Sequence, residues 1–410
     1  MAPQRSNLAL ATLALGAFVI GTAELVVVGI LNLVATDLSV SVSTAGWIVT
    51  TYALGISIGG PLLTAVTTRL GRRFLLRASL AVYVIGNVVA VIAADFGLLL
   101  VARVLTGTIH GLFVGVASVV AAGLVPAERR GQAISMVFGG IAVSTVLGVP
   151  LGTLVGQAFG WQAAFLCIIV LGVVALVLAL TLIPPVAAQG SGGAVAQAKA
   201  AFAPRVLGTL GVGLLLLGGQ FTVFTYLAVY LEDTTGVSGG LVSVFLLVYG
   251  IASAVGIAVG GRLADMNPTR TLLAANAVLV LALGALYLFG GSAVLTAILL
   301  AVWGLAGFGL VPSFQLRTIG LAGAGGDLAA TLGASAVNAG IAGGAVIGGW
   351  ALANYGVEAV LLTGLIICVV ALPATWASGL AGYPAQPADE PAADTGSAST
   401  EDDRREVTAG

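Results

Sequence analysis

The sequence predicts an all-α integral membrane fold of twelve spanning helices arranged as two pseudo-symmetric six-helix bundles. Three observations predict it. The 410 residues are 59% hydrophobic and only 8% charged, with a mean hydropathy of +1.13, whereas a soluble domain carries roughly a quarter charged residues. A window of about 20 apolar residues, the length of a bilayer-crossing helix, finds twelve candidates. The positive charges then alternate from one side of these candidates to the other.

In the first half the spans fall near 8–31, 44–67, 75–94, 98–124, 133–157 and 161–183. In the second half they fall near 206–231, 239–260, 271–290, 292–316, 329–352 and 358–379. The first stretch is too long for a signal-peptide core and is expected to remain as an anchor. If the N-terminus lies inside, 14 of the 15 basic residues sit in cytoplasmic segments. These are Arg5, Arg69, Arg72, Arg73, Arg77, Arg129, Arg130, Lys199, Arg205, Arg262, Arg270, Arg317, Arg404 and Arg405. The opposite loops hold no base but carry Asp37, Asp95, Glu232, Asp233 and Glu358. This is the positive-inside pattern, and a wrong span count would scramble it. It places both termini in the cytoplasm of a bacterial-type inner membrane.

The domain organisation follows. Residues 1–183 form an N-terminal six-helix bundle, and 184–205, rich in Gly, Ala and Pro, read as a flexible cytoplasmic linker. Residues 206–382 form the C-terminal bundle, and 383–410 read as an acidic, disordered cytoplasmic tail.

Composition also narrows the chemistry. The single histidine, His110, leaves no multi-histidine metal site, and Lys199, the one lysine, follows no phosphate-binding loop. Cys167 and Cys368 each lie in apolar runs and read as small buried hydrophobes. No cofactor, metal or nucleic-acid partner is expected. No nucleophile, base and orienting group occur together in any readable motif, so an enzyme is not expected.

The two halves share a loop pattern. TAVTTRLGRR runs from Thr64 to Arg73 after the second span, and GRLADMNPTR from Gly261 to Arg270 after the eighth. Tandem six-helix halves with a site at their interface are a transporter plan. With these turns the chain resembles the major facilitator superfamily, specifically its twelve-helix drug:proton antiporter branch, along all but the tail. The loop signature is matched at Arg69, Gly71, Arg72 and Arg73 and, in the second copy, at Asp265 and Arg270. Thr68 stands where the family usually has aspartate, which puts that loop's brace in doubt in the first half. Span 4 reads ARVLTGTIHG, similar to the family's R-x-x-x-G signature at Arg103 and Gly107. Span 5 carries the glycine/proline antiporter-like pattern at Gly148, Pro150 and Gly152. GTAELVVVGIL in span 1 looks like the segment of chloramphenicol-resistance and arabinose-efflux-like members.

Glu24 is the one acid placed deep in an apolar span. Burying it costs about 2.5–3.5 kcal/mol on insertion scales, so it usually has a function. Proton coupling or cation recognition is one reading, and a structural acid fixing helix packing is the other. Arg103, read as the sole base inside a span, falls at a similar depth. An ion pair with Glu24 would offset the burial of both; a structural arginine bonded to backbone carbonyls is the alternative. His110, two turns further along the same face as Gly107, is either a proton relay or a packed, hydrogen-bonded side chain. The span 5 run is either a device that limits proton leak, as the resemblance implies, or an ordinary kink. Candidate substrate contacts are Asn87, Gln220, Phe224, Tyr226, Trp303 and Asn338, with helix packing as the alternative for each. Trp47, Trp161, Trp350 and Trp376 lie near span ends and read as interfacial.

The resemblance implies a proton-coupled antiporter that exports an amphiphilic drug or antibiotic by alternating access, acting as a monomer and driven by the proton gradient. A sugar, purine or metabolite exporter is the alternative, and a non-transporting sensor is a third class.

Overall fold

The structure is a computed structural model, and it describes residues 3–67, 70–126, 130–184, 199–323 and 326–379. Among the described residues, twelve helices are long and apolar enough to cross a membrane. They are spans 1 (Ser6–Leu25), 2 (Val42–Thr64), 3 (Arg72–Val91), 4 (Phe96–Gly123), 5 (Met136–Phe159) and 6 (Trp161–Leu182) in the first half. The second half holds spans 7 (Pro204–Phe224), 8 (Gly240–Met266), 9 (Pro268–Phe289), 10 (Ala293–Ala322), 11 (Leu328–Tyr355) and 12 (Val357–Gly379). Among the described residues no strand occurs. Helices pair the backbone groups of their interiors within one segment, as a hydrocarbon surrounding requires. Side chains such as Leu62, Val170, Leu281 and Leu288 stay more than 60% exposed, which marks lipid-facing surface rather than a soluble protein's exterior.

The halves repeat one another in details that composition hides. Span 1 is interrupted at Val26 and resumes as the helix Val27–Asp37; span 7 is interrupted at Thr225 and Tyr226 and resumes as Leu227–Asp233. A single residue separates spans 5 and 6, and likewise spans 11 and 12. These residues are Gly160 at φ 91° and Gly356 at φ 83°, positive values that favour glycine. In both halves the second and fourth helices meet through glycines. A Cβ on Gly107 would fall 2.1 Å from Tyr52 O, and one on Gly256 would fall 2.2 Å from Leu305 O. Such close backbone approach is how helices associate where lipid removes the hydrophobic drive.

One end of the bundle carries Arg72, Arg205, Arg262 and Arg270 and is called the arginine end here. The other, the acidic end, carries Asp37, Asp95, Glu232, Asp233 and Glu358. The hydrogen bonds that join the halves run from the acidic end to just past mid-span. Asn32 Nδ2 donates to Glu232 Oε2, and Tyr226 OH reaches Ser43 O at 3.4 Å. Deeper, Thr50 Oγ1 donates to Ala342 O (3.4 Å) and Ser57 Oγ to Ser335 O (2.8 Å). The acidic end is therefore stitched shut.

Several expectations need correction. Arg317, assigned to a cytoplasmic segment, lies within span 10 and is 1% exposed, so Arg103 is not the sole base buried in a span. Its guanidinium donates to Thr269 Oγ1 and Ser378 O. Trp161 is buried rather than interfacial, donating through Nε1 to Asp37 Oδ2 at 2.8 Å. Cys167 is exposed on span 6 rather than buried, whereas Cys368 is buried. Most of the expected linker and all of the tail lie outside the described residues, although residues 199–201 at the linker's end are helical and Ala201 is fully buried.

Candidate functional site

The site grows from the interruption in span 1. A helix that stops leaves its last carbonyls without intrahelical donors, and inside a membrane those oxygens need partners. Arg103 supplies them. From two turns inside span 4 it donates through Nη1 to Ala23 O (2.9 Å), through Nη2 to Glu24 O (3.4 Å) and through Nε to Ile48 O on span 2 (3.3 Å). The carbonyl end of a helix carries partial negative charge, so a cation there is favourable. Arg103 is 1% exposed and its Cζ lies 3.9 Å above the Tyr52 ring, adding a desolvated cation–π contact.

The expected depth match between Glu24 and Arg103 is present, but their side chains do not pair. Arg103 grips the backbone of residue 24, and the Glu24 carboxylate lies beside His110, with Oε2 3.7 Å from Nδ1. That separation is an electrostatic contact rather than a hydrogen bond. His110 Nδ1 also lies 3.2 Å from Tyr52 OH, which lies 3.1 Å from Tyr83 OH. Tyr83 OH donates to Ile20 O at 3.2 Å. The structure thus brings Glu24, Arg103 and His110 together and adds Tyr52 and Tyr83, which sequence reasoning missed.

Glu24 keeps 18% of its side chain open. It faces a narrow cavity at the interface of the halves, bounded by Val49, Tyr52 and Arg103 on one side and Phe221 and Ile341 on the other. There is room for about one water molecule. A fixed guanidinium with one adjacent titratable carboxylate makes a site whose net charge changes by one when Glu24 takes or gives up a proton.

The Major Facilitator Superfamily model matches residues 13–331. The chain belongs to the major facilitator superfamily. It is 43% identical over 270 residues to an uncharacterized MFS-type transporter, YtbD, of Bacillus subtilis, covering 65% of this chain and 68% of that one. A chloramphenicol resistance protein of Streptomyces lividans is 33% identical over 278 residues, covering 67% and 71%. A probable sugar efflux transporter of Mannheimia succiniciproducens is 28% identical over 360 residues, covering 88% and 91%. A solved structure of a bacterial homolog of the human lysosomal transporter Spinster, inward-facing and unoccupied, superposes with a TM-score of 0.71 at 16% identity, over 92% of this chain and 97% of that one. The fold is therefore that of a major facilitator transporter.

The signature positions of this superfamily member have legible packing roles. Gly107 lets span 4 touch the Tyr52 backbone, which is what sets Arg103 against the Tyr52 ring. Gly148 and Gly152 seat span 5 on span 1 around its interruption, their hydrogens facing Thr22 Oγ1 and Val26 Cγ2. Pro150 sits at the start of the helical segment Val149–Phe159, directly after a π-helical turn, Ser144–Gly148. There its missing N–H is tolerated. A second π-helical turn, Gly55–Gly59, lies in span 2 beside span 4. Gly71 is extended ahead of span 3, which begins with the half-buried Arg72 and Arg73. Thr68 and Arg69 lie outside the described residues. Asp265 and Arg270 are exposed on either side of Asn267, which caps span 9 by accepting from Arg270 N at 2.9 Å.

None of the six expected substrate contacts lines the Glu24 cavity. Gln220 accepts from Trp303 Nε1 at 3.2 Å, both fully buried. Phe224 and Trp303 belong to an aromatic cluster with Tyr249, Phe224 stacking on Tyr249 at 4.8 Å between centroids. Phe221, unmarked in the sequence reading, carries this cluster to the cavity wall, 5.3 Å from Phe224. Tyr226 lies at the seam, its OH donating to Ala345 O at 2.9 Å. Asn87 is buried and donates to Tyr83 O at 2.8 Å. Asn338 donates to Ala334 O at 3.0 Å, while its Oδ1 is buried without a partner.

At the acidic end, Glu232 follows span 7. Burial pushes its carboxyl above the usual range; the hydrogen bond from Asn32 opposes this, and the charge of Asp233 adds to it.

Proposed function

We propose that this chain is a proton-coupled exporter of a small amphiphilic drug or antibiotic, working by alternating access. Glu24 takes a proton from outside as the substrate leaves. The observation that carries the reading is the placement of the Glu24 carboxylate. It is half-buried at the interface of the halves and makes no direct ion pair with Arg103, it lies 3.7 Å from His110, and it borders the cavity that both halves line. A buried carboxylate that is not locked in an ion pair can exchange a proton as its surroundings change. The fixed charge of Arg103 keeps the site from becoming a net anion in hydrocarbon. The relative named for chloramphenicol resistance supports the substrate class.

In this reading the acidic end faces outward and the arginine end faces the cytoplasm, with both termini inside a bacterial inner membrane. The seam stitched at the acidic end then corresponds to an inward-facing state. The proton gradient supplies the drive with no cofactor, and one chain suffices because the cavity lies between its own halves. Asn87, Gln220, Phe224, Tyr226, Trp303 and Asn338 stand as candidates for substrate contact in states where the halves part.

The test is uptake into proteoliposomes with an imposed proton gradient, following a chloramphenicol-like compound and a cationic dye. Wild type and Glu24→Gln are compared. Uptake that collapses with an uncoupler and in the variant supports proton antiport at Glu24. Gradient-driven uptake that survives in Glu24→Gln overturns the assignment. A sugar or metabolite exporter is a second reading, favoured by the 28% identity to a probable sugar efflux transporter across most of both chains. Gradient-driven uptake of sugars but not of drugs would select it.

A further inference from the structure

We propose that Tyr52 is a positioning residue of the proton site: its hydroxyl decides whether His110 Nδ1, the nitrogen beside Glu24, carries a proton. The inference rests on the reading of Glu24 as the proton carrier and adds a residue that the family signatures do not mark.

The Tyr52 ring is fixed by contacts that do not involve its hydroxyl. Arg103 lies on its face at 3.9 Å, and the hydrogen of Gly107 sits against its backbone oxygen. The His110 ring meets it edge-on, with centroids 5.8 Å apart. The hydroxyl is thereby held within reach of three partners: Ile20 O at 3.4 Å, Tyr83 OH at 3.1 Å and His110 Nδ1 at 3.2 Å.

A phenol has one proton to give, so these contacts define two arrangements. In one, Tyr52 donates to His110 Nδ1, and Tyr83 donates to Tyr52 or to Ile20 O. His110 then has no Nδ1 proton to offer Glu24. In the other, His110 Nδ1–H donates to Tyr52, which donates onward to Tyr83 or Ile20 O. The Nδ1 proton then lies at the nitrogen 3.7 Å from Glu24 Oε2. An ionised Glu24 favours the second arrangement and a protonated Glu24 favours the first. Passing from one to the other turns the Tyr52 O–H bond and moves the single imidazole proton between Nε2 and Nδ1, so the hydroxyl's preference for one tautomer sets how readily Glu24 holds its charge. Apart from Tyr52 and Tyr83, the groups facing Glu24 with charge or titratable protons are Arg103 and His110. The cavity walls from spans 7 and 11 contribute Phe221 and Ile341, which are apolar.

The experiment is an infrared titration of the purified protein in lipid nanodiscs, with no substrate needed. The protonated-carboxyl band of Glu24 is assigned by its loss in Glu24→Gln. Tyr52→Phe keeps the ring, its stacking and its packing, and removes only the hydroxyl. The midpoint of the Glu24 band is expected to move by about half a pH unit or more, a roughly threefold change in proton affinity, as loss of one buried hydrogen bond implies. Tyr83→Phe, which leaves the Tyr52–His110 contact in place, is expected to move it by less. A Tyr52→Phe midpoint equal to wild type, with the Glu24 band titrating normally, overturns the role of Tyr52 and leaves the Glu24 reading intact. A larger shift in Tyr83→Phe than in Tyr52→Phe overturns it as well. Absence of any titrating band that Glu24→Gln removes overturns the proton reading itself.

Discussion

Gly107 offers a sharp test of how the site is held together. A Cβ added there would meet Tyr52 O at 2.1 Å, Tyr52 C at 2.9 Å and Tyr52 Cα at 3.0 Å. All three atoms are backbone, so no side chain can swing aside, and spans 2 and 4 must part by about 1 Å to restore ordinary contact. Overpacking of this kind costs typically about 1–3 kcal/mol. The same displacement would stretch the Tyr52 OH–His110 Nδ1 contact beyond its 3.2 Å and the Arg103 Nε–Ile48 O bond beyond its 3.3 Å, both close to the limit for hydrogen bonding. Stability and coupling should therefore fall together in Gly107→Ala.

Gly115 provides the control. It lies on the same span 4, two turns on, and a Cβ there meets nothing within 4 Å. Alanine is the better helix former by about 1 kcal/mol, so Gly115→Ala should be neutral or slightly stabilising. The assay is thermal unfolding in detergent alongside gradient-driven uptake in proteoliposomes. Gly107→Ala should melt lower than wild type and lose most uptake, while Gly115→Ala should do neither. If the two variants behave alike, the close approach of spans 2 and 4 is not what organises the site.

Two further expectations concern the seam between the halves. Glu232 has a raised carboxyl affinity for protons in the closed seam, whereas in an opened, hydrated end it should return toward an ordinary carboxylate. The closed state then binds the proton more tightly, so closure is favoured as pH falls and weakened as pH rises through the raised value. Spin-label distances across the acidic end should lengthen with rising pH in wild type and become pH-insensitive in Glu232→Gln; an unchanged pH response in that variant would exclude Glu232 as its source. Gly250 on span 8 sits against span 5, where a Cβ would fall 2.2 Å from Thr145 O. Gly250→Ala should wedge the halves apart and lengthen the same distances at every pH, and distances equal to wild type would show that the seam absorbs the extra atom.

The twelve spans were legible because each is a long apolar run and the arginines alternate around them. The seam and the site were legible only in part, for reasons that lie in particular residues. Nothing marks Val26 as a helix interruption: it is neither proline nor glycine, and a β-branched residue is ordinary in a membrane span. Tyr226 is equally silent at the matching break in span 7. Each π-helical turn, Gly55–Gly59 and Ser144–Gly148, runs directly into a helical segment with proline in its first two positions, Pro61 and Pro150, a local signal that the sequence reading took up in span 5 alone. Tyr52 and Tyr83 read as unremarkable aromatics until spans 2, 3 and 4 bring their hydroxyls to within 3.1 Å.

Glu24 and Arg103 could be placed at one depth from sequence, and mutual burial then suggests that they pair. The structure shows why they do not. A helix can stop inside hydrocarbon only where its freed carbonyls find donors, and Arg103 is occupied with that task, bonded to Ala23 O and Glu24 O. The interruption at Val26 and the buried arginine are thus one feature, each removing the cost of the other. With the guanidinium committed to the backbone, the Glu24 side chain is left beside His110 at the interface of the halves, near the positive charge but not bonded to it. A carboxylate locked to Arg103 would hold a fixed charge through every state. The backbone break is therefore what leaves the carboxylate beside it without a direct ion pair, the condition that the proposed proton exchange needs.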